Sequence, residues 1–128
     1  EAGTAEASST GANILLVDDD MDVRLAVADM LAARGHTVYQ AEDGQQALAK
    51  VEHRPIDLAL LDYAMPGMNG AEVAKAALQI RPGLKLLFLS GFADSEAIDR
   101  AVHGRARVLK KPIGAADLAA AIDEMLKG

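Results

Sequence analysis

Five polar residues of this 128-residue chain could together bind a cation and a phosphoryl group. Three are carboxylates, one carries a hydroxyl and one an amine: Asp18, Asp19, Asp62, Ser90 and Lys111. Carboxylates that gather at one place repel one another strongly unless a cation lies between them. A lysine and a hydroxyl beside them suit the oxygens of a phosphoryl group. The residue types therefore predict a phosphate-handling site with a cation, provided that the fold brings them together.

Short apolar runs precede these residues and predict how they are brought together. The runs cover 13–17, 56–61, 84–89 and 106–109. If the runs are parallel strands, their carboxyl ends meet at one edge of a sheet, which is where the ligand sites of open α/β sheets lie. Segments of helical spacing alternate with the runs, so the sequence predicts an α/β fold with a doubly wound, five-stranded parallel sheet and five helices.

The predicted elements follow from apolar spacing and from residues that begin or end helices. Strands are predicted at 13–17, 37–40, 57–61, 84–89 and 106–109, and helices at 21–34, 44–52, 71–80, 95–102 and 115–127. Asp20 is a candidate helix cap, Gly35 closes the first helix and Pro82-Gly83 ends the third. The third and fourth strands are almost continuously apolar, as expected when helices cover both faces of a sheet.

Composition excludes several classes of function. The net charge of −6 argues against a nucleic-acid surface, and the absence of cysteine excludes disulfides and thiolate metal sites. No apolar stretch approaches the length of a membrane span, so we expect a cytoplasmic segment without membrane contact. Residues 1–12 are small and polar and are predicted to be a flexible linker before a domain at 13–128. The missing initiating Met suggests that the chain was cut or processed.

Four motifs, in this order and at this spacing, resemble the response-regulator receiver domains of two-component signalling. They are Leu-Leu-Val-Asp-Asp-Asp at 15–20, Leu-Leu-Asp-Tyr-Ala-Met-Pro-Gly-Met-Asn-Gly at 60–70, Leu-Ser-Gly-Phe at 89–92 and Leu-Lys-Lys-Pro at 109–112. The resemblance covers about 13–126, nearly the whole chain. It implies a flavodoxin-like (βα)5 fold with strand order 2-1-3-4-5.

The resemblance also implies a role for each acidic residue. Asp62 would be the phosphoacceptor, which receives a phosphoryl group from a histidine kinase or a histidine phosphotransfer protein. Asp18, Asp19 and Asp62 would hold Mg²⁺, and the backbone carbonyl of Ala64 would complete the metal site. This assignment agrees with the chemistry of Mg²⁺, which prefers an octahedron of oxygen ligands from carboxylates, waters and phosphate.

Two further residues would contact the phosphoryl group by the same resemblance. Ser90 would supply a hydroxyl and Lys111 a positive charge, with a cis peptide bond expected between Lys111 and Pro112. Val108 stands where many receivers have a Phe or Tyr that moves together with the hydroxyl residue. The sequence therefore predicts that switching here does not use an aromatic side chain.

The output of the domain is predicted less directly. The predicted helix at 95–102, the last strand and the last helix form the expected signalling surface, which would serve docking or homodimerisation. The 89–92 motif, the missing aromatic and the sequence Lys-Lys-Pro-Ile at 110–113 resemble receivers that are fused to hybrid sensor histidine kinases. We therefore expect the carboxyl-terminal receiver of such a kinase in preference to a free single-domain regulator.

Two other functions stay open at the level of sequence. A haloacid dehalogenase-type phosphatase also uses an aspartate after its first strand, a Ser or Thr, a lysine and Mg²⁺. Its Asp-x-Asp-x-Thr/Val motif does not match Asp18 to Asp22, and it leaves Asp62 without a role. A degenerate receiver that acts only as a binding module is the other alternative, and the complete set of five residues argues against it.

Each polar residue also has a plainer interpretation. The acidic pair could be part of a helix cap, Ser90 could lie in a simple turn, and Lys110 is expected to be a solvated residue at the edge of the sheet. The histidines at positions 36, 53 and 103 share no spacing and are expected at the surface or in loops.

Overall fold

The computed structural model describes residues 11–63, 65, 67, 69–90, 106–110 and 113–127. Its strands are β1 Asn13–Val17, β2 Thr37–Ala41, β3 Leu58–Asp62, β4 Lys85–Ser90 and β5 Ala106–Lys110. Its helices are α1 Met21–Ala33, α2 Gly44–His53, α3 Gly70–Ile80 and α4 Ala115–Lys127. The strands form one parallel sheet in the order β2-β1-β3-β4-β5, which confirms the predicted fold class and strand order. The helix predicted at 95–102 lies outside the described residues.

The two faces of the sheet are covered by different helices because side chains alternate along each strand. Leu15 and Val17 of β1 belong to a buried cluster with residues of α2 and α3. Ile14 and Leu16 of the same strand belong to a second cluster, with residues of α1 and α4. Both faces are therefore apolar, and this explains why the strands read as continuous apolar runs in the sequence.

Side-chain caps fix the residues at which three of the helices begin. Asp20 accepts hydrogen bonds from two backbone N–H groups in the first turn of α1, at 3.0 and 3.2 Å, which confirms its predicted role. Asp43 caps α2 in the same way, and Asn69 and Glu72 form a reciprocal capping box on α3. Each of these three helices therefore begins at a defined residue.

Gly70 allows α3 to start directly against the end of β3. Its N–H donates to the carbonyl of Tyr63 at 2.9 Å. A Cβ atom at this position would lie 2.9 Å from both the carbonyl oxygen of Asp62 and the Cα of Tyr63, which is closer than real contacts allow. The fold therefore requires glycine here, because backbone atoms cannot rotate away as a side chain could.

At the amino ends of the strands, polar groups pair with one another. The backbone N–H of Asn13 donates to Oδ2 of Asp57 at 2.8 Å, and the N–H of Asp57 donates back to the carbonyl of Asn13 at 2.8 Å. The side-chain amide of Asn13 also donates to the carbonyl of Pro55 at 2.8 Å. These bonds tie the start of β1 to the residues that lead into β3.

His36 lies in the loop between α1 and β2, but it is buried rather than at the surface. Its Nδ1 accepts a hydrogen bond from the N–H of Ala12 at 3.1 Å, which covers the ring with the segment before β1. Burial lowers the pKa of His36 below 6.5, while the nearby Asp123 carboxylate raises it and the Arg34 guanidinium lowers it. His53 is exposed at the end of α2, as expected, and His103 lies outside the described residues.

Among the described helices, none has the length and apolar character that crossing a membrane requires.

Candidate functional site

The register of the sheet brings Asp18 and Asp62 side by side. Val17, the last residue of β1, pairs with Leu61 of β3. Asp18 and Asp62 are the next residue along each of these parallel strands. By the alternation of side chains, both continue the series that faces α1 and α4.

Asp18, Asp19 and Asp62 form one cluster at the carboxyl edge of the sheet. An oxygen of each carboxylate lies within 4.8 Å of an oxygen of the other two. Asp18 and Asp62 are only 4 % and 6 % exposed, whereas Asp19 faces solvent. Carboxylates that lie this close repel one another when both are ionised. The structure therefore brings together the three carboxylates that the sequence singled out.

The chemistry of this donor set fits a hard divalent cation. All three groups offer oxygen, which is the ligand type that Mg²⁺ prefers, and one to three carboxylates leave positions for water and phosphate. A cation among the three would replace their mutual repulsion by attraction. The residues present thus suit the metal that the sequence predicted.

Ser90 is the fully buried last residue of β4, which lies next to β3 in the sheet. Asp62 pairs with Leu89, so Ser90 follows the partner of Asp62 along the chain. Lys110 ends β5, pairs with Ser90 and is exposed, as expected. Lys111 and Ala64 lie outside the described residues, so their roles stay predictions.

An open cavity of about 510 Å³ lies over the acidic cluster. It is lined by residues of two kinds, the carboxylates Asp18, Asp19, Asp20 and Asp62 and the apolar residues Val23, Val27, Leu89 and Ile113. Its acidic side could hold a cation with its waters and a phosphoryl group. Its apolar side is formed partly by α1, which begins immediately after the loop of Asp18, Asp19 and Asp20, called the acidic loop below.

Two residues that support the acidic loop were missed at the level of sequence. Arg24 donates from Nη1 to the backbone carbonyl of Asp18 at 2.8 Å and from Nε to the side-chain oxygen of Gln40 at 3.1 Å. The N–H of Asp18 in turn donates to the carbonyl of Ala41 at 3.1 Å. Arg24 stands one turn into a helix and Gln40 in an edge strand, and no motif in the sequence marks their contact.

A doubly wound parallel sheet in the order β2-β1-β3-β4-β5, with an acidic cluster outside its carboxyl ends, defines a flavodoxin-like α/β domain. The chain matches the family model of the response regulator receiver domain over residues 14–123. This match covers most of the 128 residues, and the chain belongs to that family. The acidic cluster is typical of the phosphoacceptor site of such domains.

Known relatives agree with this membership. The chain is 37% identical over 119 residues to the response regulator receiver protein CpdR of Brucella abortus (strain 2308), which covers 88% of this chain and 95% of that protein. It is 33% identical over 122 residues to the sensor kinase CckA of the same organism, which covers 93% of this chain but only 13% of the kinase.

A solved structure shows the same fold. The crystal structure of a CheY-like response regulator receiver domain protein from Methanospirillum hungatei JF-1 superposes with a TM-score of 0.83 at 31% sequence identity. The match covers 91% of this chain and 94% of that one. The predicted receiver family is thus confirmed, and Asp62 lies in the acidic cluster, whereas the haloacid dehalogenase interpretation left it without a role.

Proposed function

We propose that this receiver domain accepts a phosphoryl group on Asp62 from the phosphohistidine of a histidine kinase or of a histidine phosphotransfer protein. A carboxylate oxygen of Asp62 would form the new bond to phosphorus while the bond between phosphorus and the imidazole nitrogen breaks. The electron pair of that bond stays on the imidazole nitrogen, and the product on the receiver is an acyl phosphate. The observation that carries this proposal is the position of Asp62 beside two other carboxylates under an open cavity.

Asp18, Asp19 and Asp62 would hold Mg²⁺, together with the backbone carbonyl of Ala64. When bound, Mg²⁺ supplies positive charge that offsets the carboxylates and the equatorial oxygens of the transferred group. The distances within the acidic cluster support the first three ligands. The role of Ala64 rests on the resemblance to other receivers alone.

Ser90 and Lys111 would bind the phosphoryl oxygens once they reach Asp62. The place of Ser90 at the end of β4, beside β3, supports hydrogen-bond donation from its hydroxyl to the transferred group. Lys111 directly follows Lys110, the last residue of β5, and its ammonium would neutralise charge on the same oxygens. The protein would thus act mainly by positioning and by electrostatic stabilisation.

The signalling surface would include β5, α4 and the predicted helix at 95–102. β5 is an edge strand, and Arg107 joins it to α4 by donating to Glu124 at 2.7 Å. We propose that phosphorylation changes this surface and that it serves docking or homodimerisation. Light scattering with and without acetyl phosphate and Mg²⁺ tests the homodimer, and a monomer in both conditions would contradict it.

The setting of the domain is also a proposal. Similarity to one segment of the sensor kinase CckA supports a receiver attached to a hybrid histidine kinase in the cytoplasm. Similarity over 95% of the receiver protein CpdR supports a regulator that stands alone. We favour the hybrid kinase, on the motifs at 89–92 and 110–113 and on the missing aromatic residue at position 108.

Phosphorylation by acetyl phosphate tests the proposed function. Wild type, Asp62→Asn and the matched control Asp57→Asn are incubated with and without Mg²⁺, and intact masses are measured. Asp57 suits the control because it lies at the other end of the same strand and its amide replacement keeps a hydrogen-bond acceptor for Asn13. We expect one added phosphoryl group in wild type and Asp57→Asn, only with Mg²⁺, and none in Asp62→Asn.

Two outcomes would contradict the proposal. No gain of mass in wild type would favour a degenerate receiver that acts as a binding module. A gain that survives Asp62→Asn would place the nucleophile elsewhere, with Asp18 as the first candidate, and would reopen the phosphatase alternative.

A further inference from the structure

Asp19 is the exposed residue of the acidic cluster, and the neighbouring backbone determines where its carboxylate lies. Asp19 faces solvent, whereas Asp18 and Asp62 are buried. Packing therefore holds the two buried carboxylates far more firmly than it holds Asp19. The peptide group between Asp18 and Asp19 decides where the Asp19 carboxylate lies relative to the other two.

Both polar backbone groups of Asp18 are held by hydrogen bonds. Its N–H donates to the carbonyl of Ala41 at 3.1 Å, at the end of β2. Its carbonyl oxygen, which belongs to the peptide group shared with Asp19, accepts from Nη1 of Arg24 at 2.8 Å. The peptide group before Asp18 is therefore held from β2, and the peptide group after it, which leads to Asp19, is held from α1 by Arg24.

Arg24 is itself fixed at two points. Its backbone N–H donates to the carbonyl of Asp20 at 2.9 Å, in the first turn of α1. Its Nε donates to Oε1 of Gln40 at 3.1 Å, and the contact is partly buried. Gln40 directly precedes Ala41, so one end of β2 holds Asp18 directly and holds Arg24 through a side chain.

We propose that Arg24 is a positioning residue for the acidic cluster and that Gln40 is its anchor. The guanidinium fixes the Asp18–Asp19 peptide group, and through it the Asp19 carboxylate, in the arrangement that accepts a divalent cation. Arg24 touches neither the cation nor the phosphoryl group in this account. The inference rests on the proposed function, because it assumes that the acidic cluster binds Mg²⁺.

An effect of the charge of Arg24 and an effect of its positioning role predict opposite changes in Mg²⁺ affinity when Arg24 is replaced. If the residue acted only through its positive charge, its removal would strengthen the attraction of the cluster for a cation. If it positions the loop, its removal weakens cation binding, because supporting residues around metal sites typically contribute tenfold or more in affinity. Whether Mg²⁺ affinity rises or falls when Arg24 is replaced therefore distinguishes the two roles.

The test is a calorimetric titration of the whole chain with MgCl2. We expect Arg24→Gln to raise the dissociation constant about tenfold. Gln40→Leu leaves the net charge unchanged and should raise it by a smaller factor. The matched control is Arg81→Gln, because Arg81 donates to the backbone carbonyls of Val51 and Arg54 at 2.9 and 2.8 Å, away from the cluster. It should lower the melting temperature and leave Mg²⁺ affinity unchanged.

Three results would overturn the inference. Binding by Arg24→Gln that equals or exceeds wild type would do so, and so would unchanged binding by Gln40→Leu, which also decides the matter if Arg24→Gln does not fold. In both of these cases wild type binds Mg²⁺ and the proposed function stands. A wild type that binds no Mg²⁺ would overturn the proposed metal site and this inference together.

Discussion

At the amino ends of its strands this sheet joins the entry loops by hydrogen bonds, whereas at the carboxyl ends it brings three carboxylates together. The Asp57 carboxylate, which leads into β3, accepts the N–H of Asn13 at 2.8 Å. Asp62, at the other end of the same strand, lies within 4.8 Å of the carboxylates of Asp18 and Asp19. The Asp57 carboxylate thus joins two entry loops, whereas the Asp62 carboxylate belongs to a cluster of three.

The difference follows from the parallel topology. All strands point the same way, so the loops that follow them meet at one edge, and side chains from distant parts of the sequence converge there. The opposite edge receives the loops that lead into the strands, and here those loops form backbone and side-chain bonds with one another. The parallel topology thus places bonded entry loops at one edge of the sheet and the acidic cluster at the other.

The largest expected change in the free energy of unfolding comes from adding a methyl group at Gly70, beside the carboxyl end of β3. Gly70→Ala would place Cβ 2.9 Å from backbone atoms of Asp62 and Tyr63, so α3 must move away from β3. Overpacking of this kind destabilises by about 1–3 kcal/mol or more, and we expect the upper part of that range because the contacts are to backbone. Urea denaturation measures it.

Gly83→Ala is the matched control at the amino end. It precedes β4, and a Cβ there would meet no atom within 4 Å. We expect a change within about 0.5 kcal/mol, as for a surface substitution. Equal losses at Gly70 and Gly83 would contradict the difference in packing between the two ends.

Mg²⁺ should stabilise the protein by binding to the acidic cluster at the carboxyl ends of the strands, and not at their amino ends. At a concentration of 100 times the dissociation constant, a single site adds about 2.7 kcal/mol to the free energy of unfolding. Asp19→Asn should lose most of this gain, and Asp57→Asn should keep it. Thermal unfolding with increasing MgCl2 measures the gain, and an equal response of wild type and Asp19→Asn would contradict the assignment of the site.

When Mg²⁺ is absent, removing a carboxylate should raise the free energy of unfolding at the carboxyl end of the sheet and lower it at the amino end. Asp19→Asn should stabilise by about 1 kcal/mol, because it relieves repulsion that solvent already screens in part. Asp57→Ala should destabilise by about 0.5–1 kcal/mol, because the N–H of Asn13 exchanges a protein acceptor for water. Urea denaturation in EDTA distinguishes them, and the same sign for both would refute the comparison.

The smallest expected effect is a pH dependence of stability that arises from His36, at the amino end of β2. Because burial lowers the pKa of His36, the unfolded chain binds the proton more readily than the folded one. The contribution of His36 to stability is therefore present above about pH 6.5 and is lost as pH falls through its lowered pKa. Protonation of Nδ1 would also remove the acceptor of the Ala12 N–H.

His36→Gln provides the control for this pH dependence. A glutamine carbonyl can accept the same N–H without titrating, so the difference in stability between wild type and variant should change between pH 7.5 and pH 5. One proton cannot change the free energy by more than about 1.4 kcal/mol per pH unit, and we expect less. Parallel curves for the two proteins would show that His36 does not titrate as described.

The sequence predicted the fold closely because the apolar pattern is unambiguous. Every described strand and helix lies within one residue of its predicted bounds, and the strand order agrees. β3 begins at Leu58 rather than at residue 57, because Asp57 bonds to Asn13 before the strand pairing begins. Alternation of side chains also explains why Asp18 and Asp62 meet.

Contacts between residues that no motif marks could not be predicted. Arg24 and Gln40 are 16 residues apart, and only the packing of α1 beside β2 brings them together. His36 was expected at the surface or in a loop; it lies in a loop but is buried, and its ring accepts the N–H of Ala12, which lies 24 residues earlier. The apolar periodicity predicts which face of a helix or strand is buried. It does not predict which polar groups form hydrogen bonds at the ends of helices and strands.

The central claim is that the phosphoryl group is attached to Asp62, at the carboxyl end of the sheet. The most direct test treats the protein phosphorylated by acetyl phosphate with borohydride, which reduces an acyl phosphate on aspartate to homoserine, and then maps the peptides by mass spectrometry. Our account predicts homoserine at position 62, only when Mg²⁺ was present during phosphorylation. Homoserine at position 18 or 19, or at no position although the protein has gained a phosphoryl group, would contradict it.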